Sequence, residues 1–254
     1  LAYASKCFRE AQQKNKQAHT GLSNQGNEIC FCTIGDASTS EGHFWESINA
    51  ASVLQIPLAV FVWDDGYGIS VPAKYQTTKE NISAILSGFH TDENGVGVDI
   101  YKAKGWDYAE LCKVYQEAIQ HCRNNHRPVL IHITEVTQPQ GHSTSGSHER
   151  YKSKERLQWE ADFDCVKQMR EWIEKKQLAT AAELDAIRDS VRALCAEFPN
   201  EYWRETDRER AYPTKFVDAM TKAGFLAALI PEEFGGSGLG LQAACAILEE
   251  THKS

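Results

Sequence analysis

Through the first 135 residues, short unbroken apolar runs alternate with apolar stripes at helical spacing. Glu28 to Ile34 (EICFCTI), Leu58 to Trp63 (LAVFVW), Val98 to Ala103 and Pro128 to Thr134 (PVLIHIT) have strand length. Runs that are apolar on both faces suit strands of a buried parallel sheet. The intervening stretches have a helical period. Residues 2–19 place Tyr3, Cys7, Phe8 and Ala11 on one face, and a Gly/Asn/Ser loop at 21–27 ends that helix. His43 to Leu54 turns Phe44, Ile48, Ala51 and Leu54 inward, and Pro57 stops it. Asn81 to Leu86 reads as a short helix, and Asp107 with Glu110 caps another that runs through Cys122. Strands and helices in strict alternation, with short connections, predict right-handed crossovers. The fold class is therefore α/β, a doubly wound parallel sheet.

The pattern then changes. Residues 135–150 (EVTQPQGHSTSGSHER) form a long polar loop. Helices are predicted near 153–176 and 183–197, the second opened by a Thr180/Glu183 capping box. An Arg- and Glu-rich linker follows Pro199. Then come a helix over Pro213 to Ala223, the turn IPEEFGGSGLGL, and a last helix to about Glu250. The C-terminal segment thus reads as all-helical. No internal repeat is visible.

Composition narrows the function. The chain has 254 residues and a net charge of −8, with its basic residues dispersed, which argues against nucleic acid as a partner. The longest clean apolar run, Ile56 to Trp63, is far short of the ~20 residues a membrane helix needs. The Lys, Arg and Gln of the first residues do not make a signal peptide, and without an initiator Met the chain begins as if cut from something longer. The eight Cys lie inside apolar-periodic segments without a CxxC pair. They read as buried or half-buried free thiols in a reducing, cytoplasmic compartment.

Two acidic corners carry the candidate chemistry. Asp36 follows the strand 28–34 at once, and Asp64-Asp65 follow the strand 58–63. Taken singly, either is an ordinary turn residue or cap. Together they are one crossover apart, at the carboxyl ends of strands, where open parallel sheets bind ligands. Carboxylates so close repel unless a cation lies between them, and hard oxygen donors suit Mg²⁺. The loop Gly35-Asp36-Ala37-Ser38 adds backbone N–H groups at a helix start, which suits a diphosphate.

GDA at 35–37, a spacer, and DD at 64–65 resemble the thiamine diphosphate motif, usually GDG, a spacer and NN. The flanks TSEGHFWESINAASVLQIPLAVFV and DDGYGISVP are similar to the α-subunit region of 2-oxo acid dehydrogenase E1 components, and the likeness extends to about residue 185. It implies the thiamine diphosphate-binding fold, truncated, with thiamine diphosphate and Mg as cofactors. By that resemblance Asp36 and Asp65 are metal ligands, with the Tyr67 carbonyl. Gly35, Ala37, Ser38 and Ile69 line the cofactor, and His142 of QGHSTSGSHERY contacts its diphosphate side and helps position the acyl acceptor. Ala37 replaces the family's third Gly and Asp65 its second Asn, which adds a charge. Ser143 aligns with a serine that mitochondrial members phosphorylate. Gly146 and Ser147 stand where those members carry an acidic pair, so the same regulation is not implied.

The resemblance also implies oxidative decarboxylation of a 2-oxo acid and acyl transfer to lipoyl-E2. The E1 β region, as a separate chain or domain, supplies the glutamate that activates the cofactor, and the assembly is an oligomer. Alone, the chain is expected to be inactive. His43, His121, His126 and His148 are expected in solvent, and His132 in the core with its hydrogen bonds satisfied.

From about Ile187 the resemblance is to the N-terminal helical domain of acyl-CoA dehydrogenases, most clearly in IPEEFGGSGLG. This divides the chain into domains 1–185 and 187–254. No site residue carries over, and FAD would enter only with the complete tail family. GGSGLG has no strand before it and no downstream acid, so it is not a dinucleotide fingerprint. In isolation a tail of this size would bury little core, so it is expected to be helical but loosely attached unless it docks on the front domain. An acyl-CoA dehydrogenase-like flavoprotein fragment and an inactive fusion fragment are the alternative readings.

Overall fold

The computed structural model describes residues 1–14, 21–139, 141–142 and 148–253. The chain forms two compact units, Leu1–Cys165 and Val166–Ser254.

In the first unit, helix α1 (Ala2–Gln13) precedes strand β1 (Cys30–Gly35). A 3₁₀ turn at Ala37–Ser40 leads into α2 (Gly42–Leu54) and β2 (Leu58–Trp63). The small hairpin β3 (Tyr67–Gly68) and β4 (Val71–Pro72) and the short helix α3 (Ile82–Ile85) follow. Strand β5 (Asp99–Lys104), helix α4 (Tyr108–Asn125), strand β6 (Val129–Thr134) and helix α5 (Lys154–Asp162) complete the unit. The four long strands form one parallel sheet in the order β1-β2-β6-β5.

Apolar cores lie on both faces of this sheet. Phe44 and Ile48 of α2 pack with Val60, Val62, Ile82, Leu86, Val98 and Leu130 on one side. Ala118 and Cys122 of α4 pack with Ala59, Phe61, Val129, Ile131 and Ile133 on the other. This is the doubly wound α/β architecture of the sequence pattern. The apolar runs of β2 and β6 need both coverings, which is why these strands are central and largely buried.

Several local expectations are corrected. Strand β1 lies at the sheet edge, so Phe31 and Cys32 are exposed despite their apolar context. Cys7, Cys32, Cys112 and Cys165 are exposed rather than buried or half-buried. Helix α1 buries Ala2 and Ser5, while Tyr3 and Cys7 face solvent; the expected extension over 15–19 lies outside the described residues. Leu54 ends α2 exposed, because Gln55 turns left-handed (φ 47°) ahead of Pro57. The helix expected over 153–176 is two, α5 and α6 (Cys165–Lys175), broken at Phe163.

In the second unit, α6 is followed by α7 (Ala181–Cys195), opened by the Thr180/Glu183 capping box. The expected polar linker is largely a helix, α8 (Asn200–Arg208). Its aromatic face, Tyr202 and Trp203, packs on Phe198 and Phe216, which overrides its charged composition. Helices α9 (Thr214–Lys222) and α10 (Leu241–Lys253) complete the unit. Between α9 and α10, Ile230 to Leu239 fold back through bonds such as Gly238 N–H to the Ile230 carbonyl. A side chain at Gly236 would collide with that same carbonyl, so the turn excludes one. Val191, Met220, Ala228, Ala244 and Ile247 form one core cluster, and Met169, Ile173 and Leu184 form another with Ala246, so the tail packs on helices that begin before residue 187, the docked alternative.

Candidate functional site

The carboxyl ends of β1 and β2 meet at one edge of the sheet. Gly35 pairs with Trp63 in register, and the Asp36 N–H donates to the Trp63 carbonyl at 3.0 Å. The two acidic corners are therefore neighbours. A cavity of about 480 Å³ opens there. Gly35, Asp36, Ala37, Ser38, Asp65, Tyr67, Ile69 and His142 all line it, so the residues expected at the metal and the cofactor come together, whereas Asp64 of the second corner does not join them. Thr33, Ile34, Trp63, Val136 and Gln138 also line it; the sequence pattern marked them only as strand or loop. Ser143 lies outside the described residues.

The acidic groups differ in their surroundings. Asp36 is 5% exposed, and its carboxyl is pushed up to about 7, by burial first and then by the charges of Asp64 and Asp65. Asp65 is also raised, mainly by burial; the Tyr67 N–H, Lys152 and Arg156 oppose the shift. Asp64 turns away from the cavity. Its Oδ2 lies 2.7 Å from His132 Nε2 and its Oδ1 accepts from the Gly66 N–H at 2.9 Å. The other ring nitrogen of His132 lies 2.7 Å from Ser83 Oγ. His132 is thus the satisfied core histidine expected from its apolar strand. Sequence spacing carried no signal for Ser83, whose partner is 49 residues away.

His43 is exposed, as expected. His121 instead sits 2.7 Å from Asp99 Oδ2, and His126 Nε2 lies 3.0 Å from the Gly26 carbonyl. His148 is largely covered.

Backbone geometry shapes the rim. Gly66 has φ 79°, and Gly68 passes so close to Ala37 and Gln76 that a Cβ would clash with both side chains. Ile69 lines the cavity with φ 60°, an uncommon region for a β-branched residue. The expected helix start at the Asp36 loop is the single 3₁₀ turn Ala37–Ser40; α2 proper begins at Gly42.

The buried Asp36 carboxyl and the half-buried Asp65 carboxyl form a hard-oxygen donor pair whose burial and mutual charge raise Asp36. That combination fits a Mg²⁺-type cation completed by water or phosphate oxygens. It is a sparse set: among the described residues no three His, Cys, Asp or Glu side chains converge as a metal cluster.

The family model for the dehydrogenase E1 component matches residues 1–205, and that for the acyl-CoA dehydrogenase N-terminal domain matches residues 181–254. Over 171 residues the chain is 26% identical to the pyruvate dehydrogenase E1 component subunit alpha of Rickettsia prowazekii, covering 67% of this chain and 50% of that protein. It is 25% identical over 175 residues to the corresponding subunit of Rhizobium meliloti, covering 68% and 48%. It is 26% identical over 187 residues to the mitochondrial 2-oxoisovalerate dehydrogenase subunit alpha 1 of Arabidopsis thaliana, covering 72% and 38%. The chain thus spans about half the length or less of these curated relatives. It belongs to the dehydrogenase E1 component family, on the side of the alpha subunits of 2-oxo acid dehydrogenases, and continues into a segment similar to the acyl-CoA dehydrogenase N-terminal domain.

Proposed function

We propose that the Leu1–Cys165 unit holds the diphosphate and metal of thiamine diphosphate in a 2-oxo acid dehydrogenase E1 component. The observation that carries this reading is the convergence of Asp36 and Asp65 in one cavity, beside Gly35, Ala37, Ser38 and Tyr67. Asp36 and Asp65 would each give a carboxylate oxygen to Mg²⁺, and the Tyr67 backbone a carbonyl. When bound, the cofactor supplies the nucleophilic carbon and electron sink for decarboxylating a 2-oxo acid. The chain's own residues bind and orient. Gly35, Ala37 and Ser38 let backbone approach the diphosphate, while Ile34, Ile69 and Val136 give the cavity an apolar wall. His142, exposed and lining the cavity, would contact the diphosphate side and steer the acyl acceptor.

The rest of the activity belongs to partners. An E1 β region would supply the activating glutamate, and a lipoyl-E2 would take the acyl group, within an oligomeric assembly. Cysteines set in apolar-periodic segments without a CxxC pair suit a reducing, cytoplasmic setting. Among the described residues no helix is long and apolar enough to cross a membrane. Thermal melting with thiamine diphosphate plus Mg²⁺ tests the reading. The pair raises the melting temperature of the wild-type chain, and neither component alone does so fully. An equal rise in Asp36→Ala would remove the metal assignment.

A further inference from the structure

The cavity's metal corner rests on a buried cluster of charges. Glu160 is fully buried on α5, and both of its oxygens lie within 2.8 Å of the Lys152 ammonium. Arg156 Nε donates to the same carboxylate at 2.8 Å. The other arm of the guanidinium, Nη2, donates to the Asp65 backbone carbonyl at 2.7 Å. The Arg156 guanidinium carbon stands 5.5 Å from the Tyr67 ring centroid and 4.7 Å from that of Trp159; Lys152 Nζ stands 5.2 Å from the Tyr67 ring. One planar group therefore bridges an anchored helix to the Asp65-Gly66-Tyr67 turn. A fork of this kind holds two acceptors at fixed geometry, which an ammonium cannot do.

We propose that Arg156 is a positioning residue for the metal corner: anchored on Glu160, it holds the Asp65–Tyr67 backbone so that the Asp65 carboxylate and Tyr67 carbonyl face one cation. The proposal rests on the metal-binding reading of the cavity and deepens it. Electrostatics and positioning predict opposite signs here. Arg156 is a cation beside a cation site, so by charge alone its removal tightens metal binding. If its role is to orient the ligands, its removal loosens binding in spite of that relief. Loss of such outer partners typically costs about 10–100-fold in metal affinity. The variants are tractable because Glu160 keeps its Lys152 partner when Arg156 is replaced.

The test is Mn²⁺ affinity of the full chain by electron paramagnetic resonance, with saturating thiamine diphosphate, for wild type, Arg156→Gln and Arg156→Lys. The metal-free melting temperature of each is measured beside it. The expected result is weaker binding in both variants, on the order of tenfold, with metal-free melting temperatures close to wild type. Gln binding as tightly as wild type or tighter, with Lys unchanged, would show a field effect only and overturn the proposal. A loss of affinity matched by a large drop in metal-free melting would show a merely structural role and overturn it as well. Wild type that fails to bind Mn²⁺ in the presence of thiamine diphosphate would overturn the functional reading itself, and with it this inference.

Discussion

At the residue scale, the Asp36 carboxyl is held where ionisation is costly. Asp36 ionises near 3.8 in ordinary surroundings and near 7 in the fold. Between those values the unfolded chain has released its proton while the folded chain has kept it. Metal-free stability from this group is therefore undiminished below about pH 4 and falls as pH rises to about 7, by about 1.4 kcal/mol per unit at most. Asp36→Asn should accordingly raise the metal-free melting temperature at pH 8 and leave it nearly unchanged at pH 4. Equal gains at both pH values would show that the carboxyl is not strained by its charge. Metal competes with that proton, so divalent-ion affinity should weaken as pH falls below about 7. Ile69 carries a second local cost. The two-residue connection Ile69-Ser70 has positive φ at its first position only, where hairpins favour glycine. Ile69→Gly should stabilise the metal-free chain by about 1 kcal/mol in urea unfolding; a loss would mean that the side chain's contacts outweigh its backbone strain.

At the element scale, legibility followed burial. The boundaries of β2 are those of its apolar run, because both faces of that strand are covered. The inward face of α2 was equally legible from Phe44, Ile48 and Ala51. Ile48 is 2% exposed between helix and sheet, so Ile48→Ala should cost about 2–5 kcal/mol in denaturant unfolding; a change below 1 kcal/mol would contradict the packing. Edge positions were less legible, since nothing in EICFCTI says that one side of β1 stays open. Helix α8 was hidden by its charge, because its partner Phe216 lies beyond the intervening loop. The Asp36–Asp65 corner could be read because each acid follows a strand directly. The Ser83–His132–Asp64 chain and the Arg156 bridge span 49 to 91 residues and leave no periodic trace.

At the scale of the whole molecule, the core boundary and the family boundary differ. The E1 match runs to residue 205 and the acyl-CoA dehydrogenase match begins at 181, while the compact units divide after Cys165. Helices α6 and α7 thus share their core with α10, through Ile173, Leu184 and Ala246. Arg188 and Arg192 of α7 pair with Glu249 and Glu250 of α10, adding polar contacts along the same seam. With separate cores, the units should unfold in two calorimetric transitions, of which thiamine diphosphate with Mg²⁺ raises one. A single transition shifted as a whole would mean that the units unfold as one.

The central claim is that a divalent ion, held by Asp36 and Asp65, anchors a diphosphate in this cavity. Titration calorimetry of thiamine diphosphate into the full chain, with Mg²⁺ and then with chelator, measures it most directly. Binding at one site per chain that requires Mg²⁺ and is lost in Asp36→Ala is the predicted result. Metal-independent binding, or binding that survives in Asp36→Ala, would contradict the account.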